Sequence, residues 1–283
     1  VCGRRVAASK VELAEDATRE NVRYMEVRFS PLLHENSGLG WKRIIQAVLN
    51  GLRDAEDRYV IHTGVILCGM RTMTPEMSLR LAQTCVDFKD HGVVGFDLAG
   101  AERDYPAKDH REAFFYIRNH NISSTVHAGE GFGPPSIHQA VHYCGAHRIG
   151  HGTMLYQDPD LMSYVNDHRI PLEMCLTSNV QSGAAASLQE HPFRTYYDAG
   201  LRVTLNTDNR LVSNTTMTDE LLLACDTFHL NIYNLRGILI NGFKSSFLHH
   251  REKVILLRSA IDEMDRIFEQ AFPGTYRRMR SFL

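Results

Sequence analysis

Residues 123–152 read SSTVHAGEGFGPPSIHQAVHYCGAHRIGHG and carry the clearest structural signal in the chain. The stretch opens with a β-branched run that ends at Gly129 and continues through an amphipathic segment. It closes with a second short run, Arg148–His151, which ends at Gly152. A strand, a helix and a second strand in this order form a β–α–β unit, in which the two strands lie parallel. This unit predicts a parallel sheet covered by helices.

The same alternation extends in both directions from this unit. Amphipathic stretches separate the apolar runs, for example Trp41–Asp57 and the segment that begins at Thr74-Pro75, an N-cap followed by proline. Most of the runs are apolar on both faces, as strands covered by helices should be. The pattern predicts an α/β protein with a TIM-type (β/α)8 barrel. The seven candidate strands are Val22–Phe29, Val60–Cys68, Val93–Leu98, Ser123–His127, Arg148–His151, Pro171–Cys175 and Arg202–Asn206.

Seven parallel strands are one fewer than a closed barrel needs, and an open sheet would leave an unpaired edge. We therefore expect the first barrel strand to precede Val1, so that residues 1–283 form a single barrel domain that lacks strand 1. Extra C-terminal helices follow the last candidate strand, and they are predicted at Thr218–His229, Ile232–Phe243 and Ser245–Phe272.

The composition favours one globular domain that acts on a small ligand. The 283 residues are 43% hydrophobic, which is enough for one substantial core. The formal net charge of -2 provides no positive field that would attract nucleic acid or an anionic membrane. No apolar run approaches the roughly 20 residues of a membrane span, and the 6 cysteines include no C-x-x-C pair. We expect a cytoplasmic protein with reduced thiols, and the composition indicates no particular oligomeric state.

Reactive side chains of a TIM-type barrel gather at the carboxyl ends of its strands. Here His127 and Glu130 follow the fourth candidate strand, His151 ends the fifth, and Asp208 follows the seventh. Each residue alone has an ordinary structural explanation, such as a strand-end histidine, a loop acid or a turn aspartate. Two imidazoles and two carboxylates at three strand ends, however, would converge on one barrel mouth. The joint pattern predicts an active site there.

Imidazole and carboxylate are ligands that suit Zn²⁺, which lowers the pKa of a bound water to about 7. His127 and Asp208 are the candidate ligands. A catalytic zinc needs further ligands, and the sequence contains no H-x-H, no H-E-x-x-H and no cysteine–histidine cluster. His138 and His142 stand four apart on a predicted outer helix, where they would face solvent away from the mouth. The residues alone therefore leave the metal site incomplete.

Three motifs at the predicted mouth resemble the zinc-site motifs of adenosine deaminases. They are Thr-Val-His-Ala-Gly-Glu (125–130), Arg-Ile-Gly-His-Gly (148–152) and Leu-Asn-Thr-Asp (205–208). The resemblance covers nearly the whole chain, with its segments in the family's order. Three further segments fit the same family, and they are Met25–Pro31, Phe96–Gly100 and Lys244–Phe247.

The resemblance implies a role for each residue in the hydrolysis of adenosine to inosine and ammonia. His127 and Asp208 become zinc ligands, with two more histidines expected in an H-x-H pair before Val1. Glu130 becomes the proton shuttle at the purine N1, where a carboxylic acid stabilises the developing charge. His151 orients and helps to activate the attacking hydroxide, and Asp208 helps to remove its proton.

Two further positions are implied to contact the purine. The backbone amide of Gly100 would meet N3, since the absent side chain allows the ring to approach closely. Asn209 stands where many relatives carry a second aspartate, and its amide can donate to N7 at any pH. The implied partner is therefore a small purine nucleoside, adenosine or 2′-deoxyadenosine, and the implied process is purine salvage.

Other functions stay open at the level of sequence. A related deaminase would act on adenine or on another adenosine derivative; a phosphorylated one would need a basic cluster, for which Arg210 is the nearest candidate. A non-catalytic nucleoside-binding descendant is the alternative from another class, because two metal ligands are absent from residues 1–283. The combined H-x-E and P-C-x-x-C signature of cytidine-type zinc deaminases is absent, because the sequence contains no P-C-x-x-C.

Overall fold

The computed structural model describes residues 2–277. Its centre is one sheet of seven parallel strands, ordered β1 to β7, so that each strand pairs with its neighbours in the chain. The sheet curls into a partial barrel that matches a TIM-type fold lacking one strand, with β1 and β7 at its edges. The strands are β1 (Tyr24–Phe29), β2 (His62–Met70), β3 (Val93–Ala99), β4 (Ser123–Ala128), β5 (Arg148–His151), β6 (Leu172–Met174) and β7 (Val203–Leu205).

Several helices begin where the sequence provides caps. The Thr74 side chain accepts a hydrogen bond from the backbone of Met77 and precedes Pro75 at the first helical position. Thr216 and Asp219 form a reciprocal capping box. Within residues 2–277 the helices are α1 (Cys2–Arg19), α2 (Trp41–Glu56), α3 (Pro75–Asp87), α4 (Arg111–Asn119), α5 (Pro134–His142), α6 (Pro159–Asp167), α7 (Leu176–Gln181), α8 (Phe193–Asp198), α9 (Arg210–Ser213), α10 (Met217–Phe228), α11 (Ile232–Ser245) and α12 (His250–Ala271).

The seven predicted strands are confirmed, each within a few residues of its expected bounds. The core lies between the sheet and the helices that pack on it. Strand residues Val65, Phe96, Val126 and Ile149 are all fully buried, which explains why the runs are apolar on both faces. None of the helices described is both long enough and apolar enough to cross a bilayer.

The predicted helix Ser245–Phe272 is wrong at its start. Helix α11 continues to Ser245, and α12 begins only at His250. The segment between them is held by the barrel interior: the backbone N–H of Phe247 donates to the Glu26 carboxylate, and the Arg148 guanidinium lies 3.5 Å from the centroid of the Phe247 ring. These distant contacts break the helix, because they use backbone and side-chain groups that a continuous helix would direct elsewhere.

The inner side of the curled sheet holds charged side chains rather than apolar ones alone. Glu173 on β6 forms ion pairs with Arg28 of β1 at 2.5 Å and with Arg148 of β5 at 2.6 Å. Arg148 also pairs with Glu26 at 2.7 Å. Glu173 and Arg148 are buried, and a buried charge is tolerated only when it is paired. We call Glu26, Arg28, Asp97, Arg148 and Glu173 the interior charge network.

Candidate active site

The structure brings four of the predicted site residues to the carboxyl edge of the sheet. His127 lies in β4, and His151 is the last residue of β5. In the parallel register Ala128 pairs with His151, so the two imidazoles lie side by side, with ring centroids 5.1 Å apart. A Cβ on Gly150 would lie 3.3 Å from the His127 ring, which shows why glycine occupies that position. Parallel pairing therefore creates the histidine pair.

Both carboxylates that the sequence predicted act on His151, and Glu130 lies next to it. The Glu130 Oε2 atom is 3.5 Å from the His151 Nε2 atom. The charge of Asp208 also acts on the His151 ring, and its Oδ2 atom accepts a hydrogen bond of 2.7 Å from the Ser178 hydroxyl. The roles of these residues stay predictions, but their arrangement can hold and move protons between neighbouring groups.

His151 is 3% exposed, and its surroundings favour the neutral ring. Burial, together with the nearby His127, lowers the pKa of His151 below its usual value despite the Glu130 and Asp208 carboxylates. Its Nδ1 atom is 2.9 Å from the side-chain nitrogen of Asn179 on α7. Sequence reasoning missed Asn179, and the signal that was available is its position on α7, the helix that follows the end of β6.

His127 has a charged environment instead. Its Nδ1 atom lies 3.0 Å from Asp97, and its Nε2 atom lies 3.2 Å from the Arg28 guanidinium. Burial disfavours the charged ring, yet the Asp97 carboxylate outweighs it and raises the pKa of His127. Asp97 and Arg28 were not predicted as site residues, although both lie in segments that resemble the family.

A buried glutamate that sequence reasoning also missed fixes the loop that carries Glu130. The Glu102 carboxylate accepts hydrogen bonds from the backbone N–H groups of Gly129, Glu130 and Gly131, at 2.9, 3.0 and 3.2 Å. Glu102 is 6% exposed, so water competes little for these bonds. No pattern in the sequence marks this acid, because its partners lie in another loop.

Gly100 and Asn209, the two predicted purine contacts, have clear backbone roles. Gly100 has a φ of 109°, a conformation that favours glycine, and a Cβ there would meet nothing nearer than 3.6 Å. The Asn209 side chain accepts a hydrogen bond of 3.2 Å from the backbone of Val212 and caps α9. Contact with a purine stays a prediction for both residues.

The residues at this edge fit a zinc ion only in part. Imidazole and carboxylate oxygen are the right donors; the His127 ring lies beside the His151 ring, and the charge of Asp208 acts on the His151 ring. Yet among residues 2–277 no three or more His, Cys, Asp or Glu side chains form a group that could hold a metal. A zinc site at this edge therefore needs ligands in addition to the described ones.

Comparisons with known proteins agree on the family. The sequence model of the adenosine deaminase family matches residues 4–264. An adenosine deaminase from Mycobacterium sp. (strain JLS) is 43% identical over 264 residues, which are 88% of this chain and 73% of that protein. A probable adenosine deaminase from Dictyostelium discoideum is 39% identical over 91% of this chain, which spans only 33% of that protein.

A solved structure extends this agreement to three dimensions. The Arabidopsis N6-mAMP deaminase superposes with a TM-score of 0.85 at 28% identity, covering 92% of this chain and 79% of that one. The motifs, the half-barrel and the sequence matches all lead to the same result. The chain belongs to the adenosine deaminase family, a family of hydrolases that act on C–N bonds.

Proposed function

We propose that the protein to which this chain belongs hydrolyses adenosine and 2′-deoxyadenosine to inosine and ammonia, as a cytoplasmic enzyme of purine salvage. The observation that carries this proposal is the meeting of Glu130, His151 and Asp208 at one strand edge, with His151 in reach of Glu130 at 3.5 Å. The relatives named adenosine deaminase, at 39 and 43% identity, support the choice of substrate.

Each side chain has a task that its position permits. Glu130 holds a proton directed at the purine N1 and gives it up as charge develops on the ring. His151, kept neutral by burial, orients the attacking oxygen. Asp208, oriented by the Ser178 hydroxyl, takes a proton from that oxygen and passes it to the departing amine, which leaves as ammonia. The backbone N–H of Gly100 and the amide of Asn209 contact the purine at N3 and N7.

The proposal includes one zinc ion, since the donor chemistry at the edge suits it. His127 and Asp208 would hold the ion together with two histidines from outside the described residues, in an H-x-H pair before Val1 as the family resemblance implies. When bound, zinc supplies a water of lowered pKa at neutral pH. Every other part of the proposed mechanism uses side chains and backbone groups of this chain.

A nucleotide substrate is the second candidate, because the Arabidopsis structure is a deaminase of a nucleotide. The contacts of Arg210 favour a nucleoside instead. The sequence marked Arg210 as the nearest phosphate ligand, and its guanidinium lies 3.3 Å from the Glu20 carboxylate with only 21% of the side chain exposed. Arg28, whose guanidinium lies beside the His127 ring, is paired with Glu173 and Asp97.

The test uses the protein with its natural upstream segment. We expect one zinc per chain by elemental analysis, and conversion of adenosine followed by ultraviolet absorbance, with AMP and adenine converted at least about 100-fold more slowly (kcat/KM). If AMP or adenine is converted faster than adenosine, that compound is the substrate and adenosine is not. A protein that binds no zinc and leaves adenosine unchanged, yet binds it in calorimetry, would instead be a nucleoside-binding protein.

A further inference from the structure

A chain of hydrogen bonds leads from the backbone of α8 to the imidazole of His151. The N–H of Phe193 donates to His191 Nδ1 at 3.2 Å. The Nε2 atom of His191 lies 3.1 Å from the Asn179 side-chain oxygen, and the Asn179 side-chain nitrogen lies 2.9 Å from His151 Nδ1. We call His191 and Asn179, with these bonds, the relay.

The direction of each hydrogen bond in the relay is fixed, because the first bond starts from a backbone N–H, which can only donate. A backbone N–H only donates, so Nδ1 of His191 is an acceptor, and the proton of the neutral ring is on Nε2. Burial lowers the pKa of His191 to about 4, which keeps that ring neutral. His191 Nε2 therefore donates its proton to the Asn179 side chain and cannot accept a hydrogen bond from the Asn179 amide.

A second donor fixes the orientation of the Asn179 amide independently. The backbone N–H of Cys175 also points at the Asn179 oxygen, at 3.4 Å. A flipped amide would place its NH2 group against two donors, and Asn179 is fully buried, so water could not compensate. The NH2 group must therefore face His151 and donate to Nδ1.

We propose that Asn179 and His191 are positioning residues that hold His151 as the tautomer with its proton on Nε2. This inference rests on the proposed function, since His151 is the residue it serves. The Nε2–H then points toward Glu130, whose Oε2 atom is 3.5 Å away. The ring presents a donor to the reacting oxygen, so it orients that oxygen and does not accept its proton while neutral.

The direct test reads the tautomer by NMR rather than by activity. In the chain labelled with ¹⁵N-histidine, the two ring nitrogens of a neutral imidazole have distinct chemical shifts, and a His151→Asn spectrum assigns the His151 signals. We expect the wild-type chain at neutral pH to show His151 protonated on Nε2. A His151 protonated on Nδ1 in the wild-type chain would overturn the proposal.

Asn179→Asp is the sharpest variant, because it keeps the shape and replaces the donor by an acceptor. Its carboxylate would accept from His191, from the Cys175 backbone and from His151, so the proton of His151 should move to Nδ1. Asn241→Asp is the control for the amide-to-carboxylate exchange: Asn241 is half-buried, whereas Asn179 is fully buried, and its side chain donates to the backbone carbonyl of Val203 at the opposite end of β7. An unchanged tautomer in Asn179→Asp would contradict the relay.

A second pair of variants keeps the proposal testable if Asn179→Asp does not fold. Gln at position 191 places an amide donor near the position of the imidazole Nε2, so His191→Gln should keep the tautomer. His191→Leu removes the donor and should give a mixture of tautomers. Thermal unfolding confirms that each variant is folded. If His191→Leu leaves the His151 signals unchanged, His191 is not part of the relay.

Kinetics in the protein with its upstream segment provide the second reading. Asn179→Asp should lower kcat by at least about 100-fold with little change in KM, while His191→Gln and Asn241→Asp stay within about threefold of wild type. If that protein does not deaminate adenosine but His151 shows the expected tautomer, the proposed function fails and the relay stands. A normal kcat in a folded Asn179→Asp variant would overturn the relay's role in catalysis.

Discussion

The two imidazoles at the mouth lie 5.1 Å apart, yet they are held in opposite ways. His127 faces ions, the Asp97 carboxylate and the Arg28 guanidinium. His151 faces the amide of Asn179 on one side and a carboxylate only at 3.5 Å on the other. Burial lowers the pKa of both rings; at His127 the Asp97 carboxylate reverses this effect and the pKa is raised, whereas at His151 burial and the neighbouring His127 leave the pKa lowered.

Two histidines at neighbouring strand ends therefore differ in protonation behaviour even though their rings lie side by side. Both precede a small residue at the end of a parallel strand, and both are buried or nearly so. The difference comes from the neighbouring elements. Strands β1 and β3 bring charged side chains to His127, whereas helix α7 brings an amide side chain to His151. We therefore expect the charged side to govern stability and the amide side to govern the proton positions.

The largest effect is expected on the charged side. Glu173→Gln removes the carboxylate between the half-buried Arg28 and the buried Arg148 and leaves both cations with less compensation, so the free energy of unfolding should fall by about 3–5 kcal/mol. Denaturant titration of this chain measures the loss. Glu112→Gln is the control, since the Glu112 side chain, which pairs with Arg111, is 68% exposed. This variant should change the free energy of unfolding by less than about 0.5 kcal/mol. If Glu173→Gln and Glu112→Gln are equally stable, the interior charge network does not stabilise the fold.

The next effect concerns turnover at the amide side. Glu130→Gln, in the protein with its upstream segment, should lower kcat by at least about 100-fold, because the amide cannot release a proton to the purine. Zinc content should stay unchanged, since Glu130 is not one of the proposed ligands. Steady-state kinetics and elemental analysis check both statements, with Glu112→Gln again as control. A variant with a near-normal rate would exclude Glu130 as the proton shuttle.

A third prediction concerns pH. The folded pKa of His191 is about 4, below the roughly 6.5 of an unfolded chain. As pH falls between these values the unfolded state gains a proton that the folded state does not, so stability decreases with falling pH. Between pH 6.5 and pH 4.5, the free energy of unfolding of the wild-type chain should fall by about 2 kcal/mol more than that of the His191→Gln variant. Denaturant titration at the two pH values measures this difference. Parallel pH curves for the two proteins would contradict the neutral buried ring.

The smallest effect is expected at the Glu130 loop. Glu102→Gln replaces one acceptor oxygen by a donor that faces backbone N–H groups, which should cost about 1–2 kcal/mol of stability. The sensitive measurement is hydrogen exchange, which should become faster at the amides of Gly129 and Glu130. Exchange rates equal to those of the wild type would mean that Glu102 does not hold the loop.

Much of the fold could be predicted from the sequence, because apolar periodicity is a local property. The seven strands and the capped helices followed from runs such as Val93–Leu98 and from Thr74-Pro75. The break between α11 and α12 could not, since it depends on Glu26 and Arg148, which are far from Phe247 in the chain.

The candidate site shows the same division. His127, Glu130, His151 and Asp208 stood out because each follows a strand, and the carboxyl ends of parallel strands share one edge. Their supporting residues did not stand out, because their importance lies in contacts across long sequence separations. Asn179 is 28 residues from His151, and Glu102 is 28 from Glu130, so no local pattern connects them.

The backbone at the mouth has a consequence for evolution and design. His151 and Asp208 have φ angles of 62° and 52°, a left-handed conformation that costs a non-glycine residue roughly 1–2 kcal/mol. Glycine would relax both positions, and a search for thermostable sequences would favour it there. The cost would be the imidazole and the carboxylate themselves, so at these two positions selection for stability and selection for chemistry act in opposite directions.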